Sequence, residues 1–329
     1  MINFCATFAL ATVPSCRTYP ERCASLPTAS GTAAMPLVAL GTWRGSYKEC
    51  IGDDYECVRE KAKSSVTSWI ELKGDHIDGA NDYRTQLEIG QALKEGAVKR
   101  EEVFITTKCP GAIGMTATVQ CSEDNLQMLG LYGVNTSGYV DLLLIHFPTV
   151  IKPQCVGPSS DSDIQAECAD EAFYDPGTAA RQETWQAMEL LQRLGRTKSI
   201  GVSDYNSTHI QETLAVAKVP IALHQVEWNP LHHDEEMLSL CNAHKVQLQA
   251  WSPLGGSRGN ILSNAQVVAI AQEHNTSTAQ VVLKWSLQRG VAVVTGTDNP
   301  AHMASDLDLW SFTLTSKEVD EINELQLAS

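Results

Sequence analysis

Residues 139–148 read Tyr139-Val140-Asp141-Leu142-Leu143-Leu144-Ile145-His146-Phe147-Pro148. Apart from Asp141 the run is apolar up to His146. That is the pattern of a strand covered on both faces, as in a parallel sheet. Seven further short apolar runs have the same character, at 37–41, 75–78, 103–107, 199–203, 222–227, 246–251 and 291–295. Helical patterns lie between them. Trp185, Met188, Leu191 and Leu194 recur every three residues, and Gly195 stops the helix. Asn206 or Ser207 caps a helix carrying Ile210 and Leu214, and Pro220 ends the connection. Leu87, Ile89 and Leu93 lie on a helix ending near Gly96. Eight strand-then-helix units predict an α/β fold, a (β/α)8 TIM barrel in one domain. The competing open doubly wound sheet requires a Gly-rich turn after an early strand, and the chain holds no G-x-G-x-x-G.

The barrel is expected over 35–329, with long βα loops at 44–74 and 147–180. The first 34 residues differ from the rest, with Arg17, Glu21 and Arg22 as their only charges. They are read as a targeting or disordered segment, a signal peptide or a transit peptide, outside the fold. The chain of 329 residues has 24 basic and 39 acidic side chains, a net charge of −15. So acidic a protein repels a phosphate backbone, so no nucleic-acid partner is expected. The apolar stretch at 4–13 is half the ~20 residues of a membrane-spanning helix, so no span is expected either. A monomer is expected.

The chemistry sits where the apolar runs stop. They end in Asp78, Lys108, His146, Ser203 and Gln225. In a barrel, polar residues at the C-terminal strand ends gather on one rim, where active sites form. His76 and Asp78 share a strand face, but a third ligand at a matching spacing is missing, and no metal is expected.

Several segments, in order, are similar to the aldo-keto reductase family. They are Met35-Pro36 with Leu40-Gly41-Thr42-Trp43, His76-Ile77-Asp78-Gly79-Ala80-Asn81-Asp82-Tyr83, Val103 to Lys108, and the 139–148 stretch. Ile200 to Asn206, Gln225-Val226-Glu227 and Trp251-Ser252-Pro253-Leu254-Gly255 continue the series. The resemblance spans about 35–327. It implies NAD(P)H-dependent reduction of a small aldehyde or ketone to an alcohol, with a catalytic tetrad of Asp78, Tyr83, Lys108 and His146. A free tyrosine, with a pKa of ~10, is a poor acid at neutral pH. A neighbouring Lys108 ammonium is expected to lower that value, with Asp78 aiming the lysine and His146 orienting the substrate.

The resemblance also implies cofactor contacts from Thr42, Ser203, Asp204, Gln225, Trp251, Ser252, Leu254, Thr295, Gly296, Thr297, His302 and Asp306. Trp43 and Phe147 are expected to line the substrate pocket. Five cofactor positions depart from the family, one being Asp306 in place of an asparagine near the adenine. Asp204 stands for an asparagine, Trp251 for a ring-stacking tyrosine, Gly296 for a phosphate-binding lysine and His302 for an arginine. Asp298 and Asp306 add negative charge nearby. NADPH is the expected cofactor, with NADH also admissible and discrimination weaker than the family norm. Two other readings stand beside this one: a Schiff-base aldolase using Lys108, and a catalytically weak nucleotide-sensing or partner-binding barrel.

Ten cysteines are present, none in a C-x-x-C pair. Disulfides Cys50–Cys57 and Cys155–Cys168 are expected to close the two long loops. A third, between Cys109 and Cys121, is disfavoured because it would strain Lys108. Such bonds place the protein in a secreted or organelle-lumen compartment; reduced thiols would place it in the cytoplasm or a plastid.

Overall fold

The structure is a computed structural model. It describes residues 19–43, 45, 47, 49–50, 54–132, 138–152, 172–256 and 259–328. The chain opens with a hairpin, β1 (Cys23–Thr28) and β2 (Gly31–Pro36), and enters the barrel at β3 (Val38–Gly41). Then follow α1 (Tyr55–Glu71), β4 (His76–Asp78), α2 (Gln86–Glu95), β5 (Phe104–Cys109), α3 (Gly114–Met128) and β6 (Val140–Ile145). A small antiparallel pair, β7 (Val150–Ile151) and β8 (Phe173–Tyr174), precedes α4 (Thr178–Arg193). The second half is β9 (Thr197–Ser203), α5 (Ser207–Leu214), β10 (Leu223–Glu227), α6 (Glu235–Ala243) and β11 (Gln247–Trp251). It ends with α7 (Ala265–Glu273), α8 (Thr278–Gln288), β12 (Ala292–Thr295), α9 (Pro300–Leu307) and α10 (Ser316–Asn323).

β3, β4, β5, β6, β9, β10, β11 and β12 form a closed parallel barrel, which β12 seals against β3 with Val293 opposite Val38. All eight apolar runs read from the sequence are these strands. Closure requires some strands to approach closely: a Cβ on Gly201 would lie 2.3 Å from the Leu223 carbonyl oxygen. The outer core lies between barrel and helices, around Trp69, Trp185 and Trp285. Helix starts follow the expected chemistry. Asn206 caps α5 and Ser277 caps α8, each side chain accepting the N–H three residues on. Gly195, at φ 71, turns the chain out of α4 as expected.

The reading of 1–34 as a segment outside the fold needs correction over its described part. β1 and β2 plug the barrel floor, where Leu26 and Met35 pack on Phe104, Leu142, Leu144 and Leu223. Their burial stabilises the base, so a boundary at 34 would cut through β2 and expose that core. Residues 1–18 lie outside the described residues. A cavity of about 570 Å³ lies beside the hairpin turn, on the face away from the polar strand ends. In its wall Asp141 accepts from Arg100 at 2.5 Å and from Lys198 at 3.0 Å. Among the described residues, no helix is long and apolar enough to cross a membrane.

Candidate active site

Four barrel segments bring the predicted tetrad together. Asp78 ends β4, Lys108 is the penultimate residue of β5, and His146 directly follows β6. Tyr83 closes a single 3-10 turn, Asn81–Tyr83, above the barrel mouth. The Lys108 ammonium is fully buried and uses all three donors. It donates to Asp78 Oδ1 at 2.5 Å, to the Gly79 carbonyl at 3.0 Å and to the Tyr83 hydroxyl at 3.4 Å. The second Asp78 oxygen accepts from Gln225 Nε2 at 2.8 Å. The buried charges are therefore both paired and hydrogen-bonded, as they must be to remain ionised there. A free amine at Lys108 has no support in this arrangement, which tells against a Schiff-base lysine.

On its other side the Tyr83 hydroxyl lies 3.5 Å from His146 Nε2. His146 Nδ1 lies 2.9 Å from Asp82 Oδ1. Asp82 was missed by the sequence reading, although it directly precedes Tyr83 in the Asn-Asp-Tyr turn. A carboxylate accepts only, so the Nδ1 that faces it carries a proton, and Nε2 is left facing Tyr83. Burial opposes ionisation of Asp82, but the hydrogen bond and charge of His146 hold its carboxyl below the usual range.

The expected lowering of the Tyr83 pKa is not what the geometry gives. Tyr83 is partly exposed as a residue, but its hydroxyl is enclosed. That burial, with the carboxylates of Asp78, Asp82 and Asp204, pushes the phenol well above its ordinary value. The Lys108 charge is engaged by Asp78, which lies nearer to it than the phenol does. Tyr83 therefore keeps its proton throughout the neutral range.

Asn125 of α3 was also missed, and only the folded chain reveals it. It is buried, and its Oδ1 accepts from Asn81 at 2.8 Å and from Gln86 at 2.6 Å. Its Nδ2 donates to the Lys108 carbonyl at 3.4 Å. One amide thus ties the turn bearing Tyr83 to the strand bearing Lys108. Beside it, Cys109 and Cys121 form a disulfide with Cα atoms 6.0 Å apart, the bridge that the sequence reading disfavoured. Successive strand residues point to opposite faces. Lys108 points into the barrel and Cys109 outward to α3, so the bridge leaves the lysine undisturbed. Just beyond, Gly111 has φ 97, and a Cβ there would lie 2.1 Å from the Thr149 carbonyl oxygen. The expected Cys50–Cys57 bridge is present, with Cα atoms 5.6 Å apart. Cys155–Cys168 lies outside the described residues.

His76 belongs to the core. Both ring nitrogens are engaged, with the Pro36 carbonyl at 2.8 Å and Thr106 Oγ1 at 2.9 Å. Burial lowers its pKa to about 4, so it is neutral.

The nicotinamide end of the expected cofactor site is formed by β9, β10 and β11. The Ser203 hydroxyl is buried with no hydrogen-bond partner among the described residues. The Gln225 amide nitrogen is taken by Asp78 and by Gln249 at 2.8 Å, which leaves its oxygen to accept. An unpaired hydroxyl and a free amide acceptor, side by side on neighbouring strands, suit a carboxamide. Trp251 is pinned by its indole N–H, which donates to Asp204 Oδ1 at 2.8 Å. Thr42 is buried and donates to the Asp78 carbonyl at 3.0 Å. Ser252, at φ 48, follows Trp251, and Leu254 packs on the core.

At the other end, Thr297 Oγ1 lies 3.4 Å from His302 Nδ1, beside Gly296. The repulsion expected from Asp298 and Asp306 is offset. Lys61 of α1, absent from the sequence reading, lies 2.7 Å from Asp298 and 2.7 Å from Glu49. Asp306 is turned inward to accept from Thr295 Oγ1 at 2.7 Å, and burial pushes its carboxyl up to about 6.

The substrate side is aromatic. Phe147 stacks on His146 with ring centroids 4.1 Å apart, and Phe173 of β8 packs on Phe147 at 5.3 Å. Trp43 is 50% exposed, an open aromatic face and not a core tryptophan. Phe173 lies within the 147–180 loop expected from the sequence, although it was not singled out there.

Comparison with known proteins agrees with the fold and with the class of protein. The profile of the aldo/keto reductase family matches residues 37–327. Aldose reductase B of Dictyostelium discoideum is 33% identical over 302 residues, covering 88% of this chain and 89% of the relative. The glycerol 2-dehydrogenase (NADP(+)) of Saccharomyces cerevisiae is 30% identical over 295 residues, covering 89% and 88%. The Bombyx mori aldo-keto reductase in complex with NADP superposes with a TM-score of 0.75 at 29% identity, over 92% of this chain and 93% of that one. A barrel with a paired Lys108 and Asp78 under Tyr83, matched along nearly its whole length, belongs to the aldo/keto reductase family. It is accordingly a nicotinamide-dependent oxidoreductase.

Proposed function

We propose that the chain reduces aldehyde or ketone groups of small aromatic or apolar compounds, with NADPH as the preferred reductant and Tyr83 as the general acid. The observation that carries this reading is the position of the Tyr83 hydroxyl between Lys108 Nζ and His146 Nε2, at 3.4 and 3.5 Å. Ser203, Gln225 and Trp251 would hold a nicotinamide, which when bound would supply the hydride for the carbonyl carbon. The rest is the work of side chains. Tyr83 holds its proton at neutral pH and releases it as negative charge grows on the substrate oxygen. The buried Lys108 ammonium, held by Asp78, stabilises the phenolate left behind. His146, fixed by Asp82, orients the carbonyl. Phe147, Phe173 and Trp43 cover the apolar part of the substrate and exclude water.

NADPH comes first because relatives bind or use NADP; its margin over NADH is smaller than the family's. Gly296 offers no charge, and Lys61, paired with Asp298 and Glu49, offsets their repulsion without adding a free cation. The test is loss of 340 nm absorbance with a panel of aromatic and aliphatic carbonyls, run with both cofactors. Wild type is expected to turn over, and Tyr83→Phe is expected to lose most of its kcat. Full activity in that variant would remove Tyr83 from the mechanism. Tight cofactor binding without turnover on any carbonyl would favour a nucleotide-sensing barrel, the reading that Gly296 and His302 support.

A further inference from the structure

We propose that the Asp204 carboxylate sets the oxidation-state preference of the cofactor site, favouring the cationic oxidised nicotinamide over the neutral reduced one. The proposal rests on the assignment of this site to a nicotinamide cofactor. Asp204 directly follows Ser203, whose buried hydroxyl lacks a partner among the described residues, and its own N–H donates to the Gln225 carbonyl at 3.0 Å. It thus lies between the two residues that suit a carboxamide. Its φ of 57 holds it in the left-handed region, which Asp and Asn tolerate better than most residues.

Indole is a donor only, so Trp251 needs an acceptor opposite it. An amide oxygen would meet that need, so the bond to Trp251 does not require a charge. The second carboxylate oxygen of Asp204 has no hydrogen-bond donor among the described residues. The ionisable groups facing it are Lys108 of β5, His146 after β6, Glu227 of β10 and Tyr83. The two cationic candidates are otherwise engaged, Lys108 with Asp78 at 2.5 Å and His146 with Asp82 at 2.9 Å. Glu227 is of like sign. Among the described residues the negative charge of Asp204 thus has no dedicated counter-ion. A pyridinium ring brings a full positive charge into this low-dielectric site, and the dihydro ring brings none. Only the first gains Coulombic attraction. Burial pushes the Asp204 carboxyl up to about 6, so the charge is present in the neutral range and fades just below it.

The readout is binding, not turnover: titration calorimetry of NADP+ and NADPH on the wild type and Asp204→Asn. The amide keeps an acceptor for Trp251 and accepts the same φ, so the variant is expected to fold. At about pH 8, where Asp204 is ionised, Kd(NADPH)/Kd(NADP+) is expected to fall about tenfold in the variant. At about pH 5.5 the wild-type ratio is expected to approach that of the variant, because the carboxyl is then largely protonated. The cofactor 2′-phosphate titrates in both forms and cancels in the ratio. An unchanged ratio in the variant at the higher pH would overturn the role of Asp204 while leaving the cofactor site intact. Binding of neither form would overturn the cofactor assignment itself, and the inference with it.

Discussion

The tetrad end of the site and the phosphate end obey different physics. The Lys108 ammonium is fully buried, and each of its donors and both oxygens of Asp78 have a partner at close range. Around Asp298 the charges are partly exposed: Lys61 and Asp298 retain 30% and 32% of their side-chain surface. A charge without water survives only in one constellation, because removing either partner strands the other. A charge beside water can be exchanged, moved to another helix or screened by salt. The sequence resemblance implied four residues of unchanged type at the first end. At the second it implied a glycine and a histidine in place of two cations, and there Lys61 of α1 pairs with Asp298.

This contrast can be broken most forcefully at the tetrad. Tyr83→Phe removes the proton donor, and kcat is expected to fall by about 10²–10⁴-fold with little change in thermal stability. Lys108→Met should lower activity comparably and also destabilise the fold by roughly 3–5 kcal/mol, since Asp78 is left buried without its cation. Chemical denaturation would read that loss, and an unchanged midpoint would refute the pairing argument. Asp82→Asn keeps the shape of the turn but no longer selects the His146 tautomer. A drop in kcat of about tenfold is expected, with cofactor Kd unchanged.

The phosphate end should respond more gently. Lys61→Ala is expected to raise Kd for NADPH several-fold and to leave Kd for NADH nearly unchanged, an effect that salt suppresses. An equal change for both cofactors would remove Lys61 from phosphate recognition. Asp306 belongs to the same end but is buried. Its folded pKa is raised above the unfolded carboxyl value, so native protein binds the extra proton between them, and stability falls as pH rises through that window. Asp306→Asn should therefore be more stable than wild type by roughly 2–3 kcal/mol near pH 7, with the gain vanishing near pH 3.5. A gain independent of pH would mean that packing, not charge, is responsible.

The bridges are the smallest lever on activity. Serine at Cys50 and Cys57 is expected to cost roughly 2–3 kcal/mol of stability on the chain-entropy account, with kcat nearly unchanged. Ready alkylation of Cys50, Cys57, Cys109 and Cys121 in the native protein would remove the support these bridges give to an oxidising compartment.

The sequence by itself determined the barrel and the polar strand ends Asp78, Lys108 and His146, while Tyr83 was implied only by the family resemblance. A strand buried on both faces is apolar throughout, so the place where it ends in Asp78, Lys108 or His146 stands out. What it could not show were contacts between segments far apart in the chain. Asn125 is 44 residues from Asn81, and Lys61 is 237 residues from Asp298. The hairpin was misread because its small and polar residues look like a tail until the open barrel floor beneath it is seen. The charge on Tyr83 was misjudged likewise: a lysine nearby lowers a phenol's pKa only if its charge is free, and only the folded structure shows Asp78 holding it. Strand chemistry is local and can be read from spacing; electrostatics and positioning depend on distances that exist only once the barrel has closed.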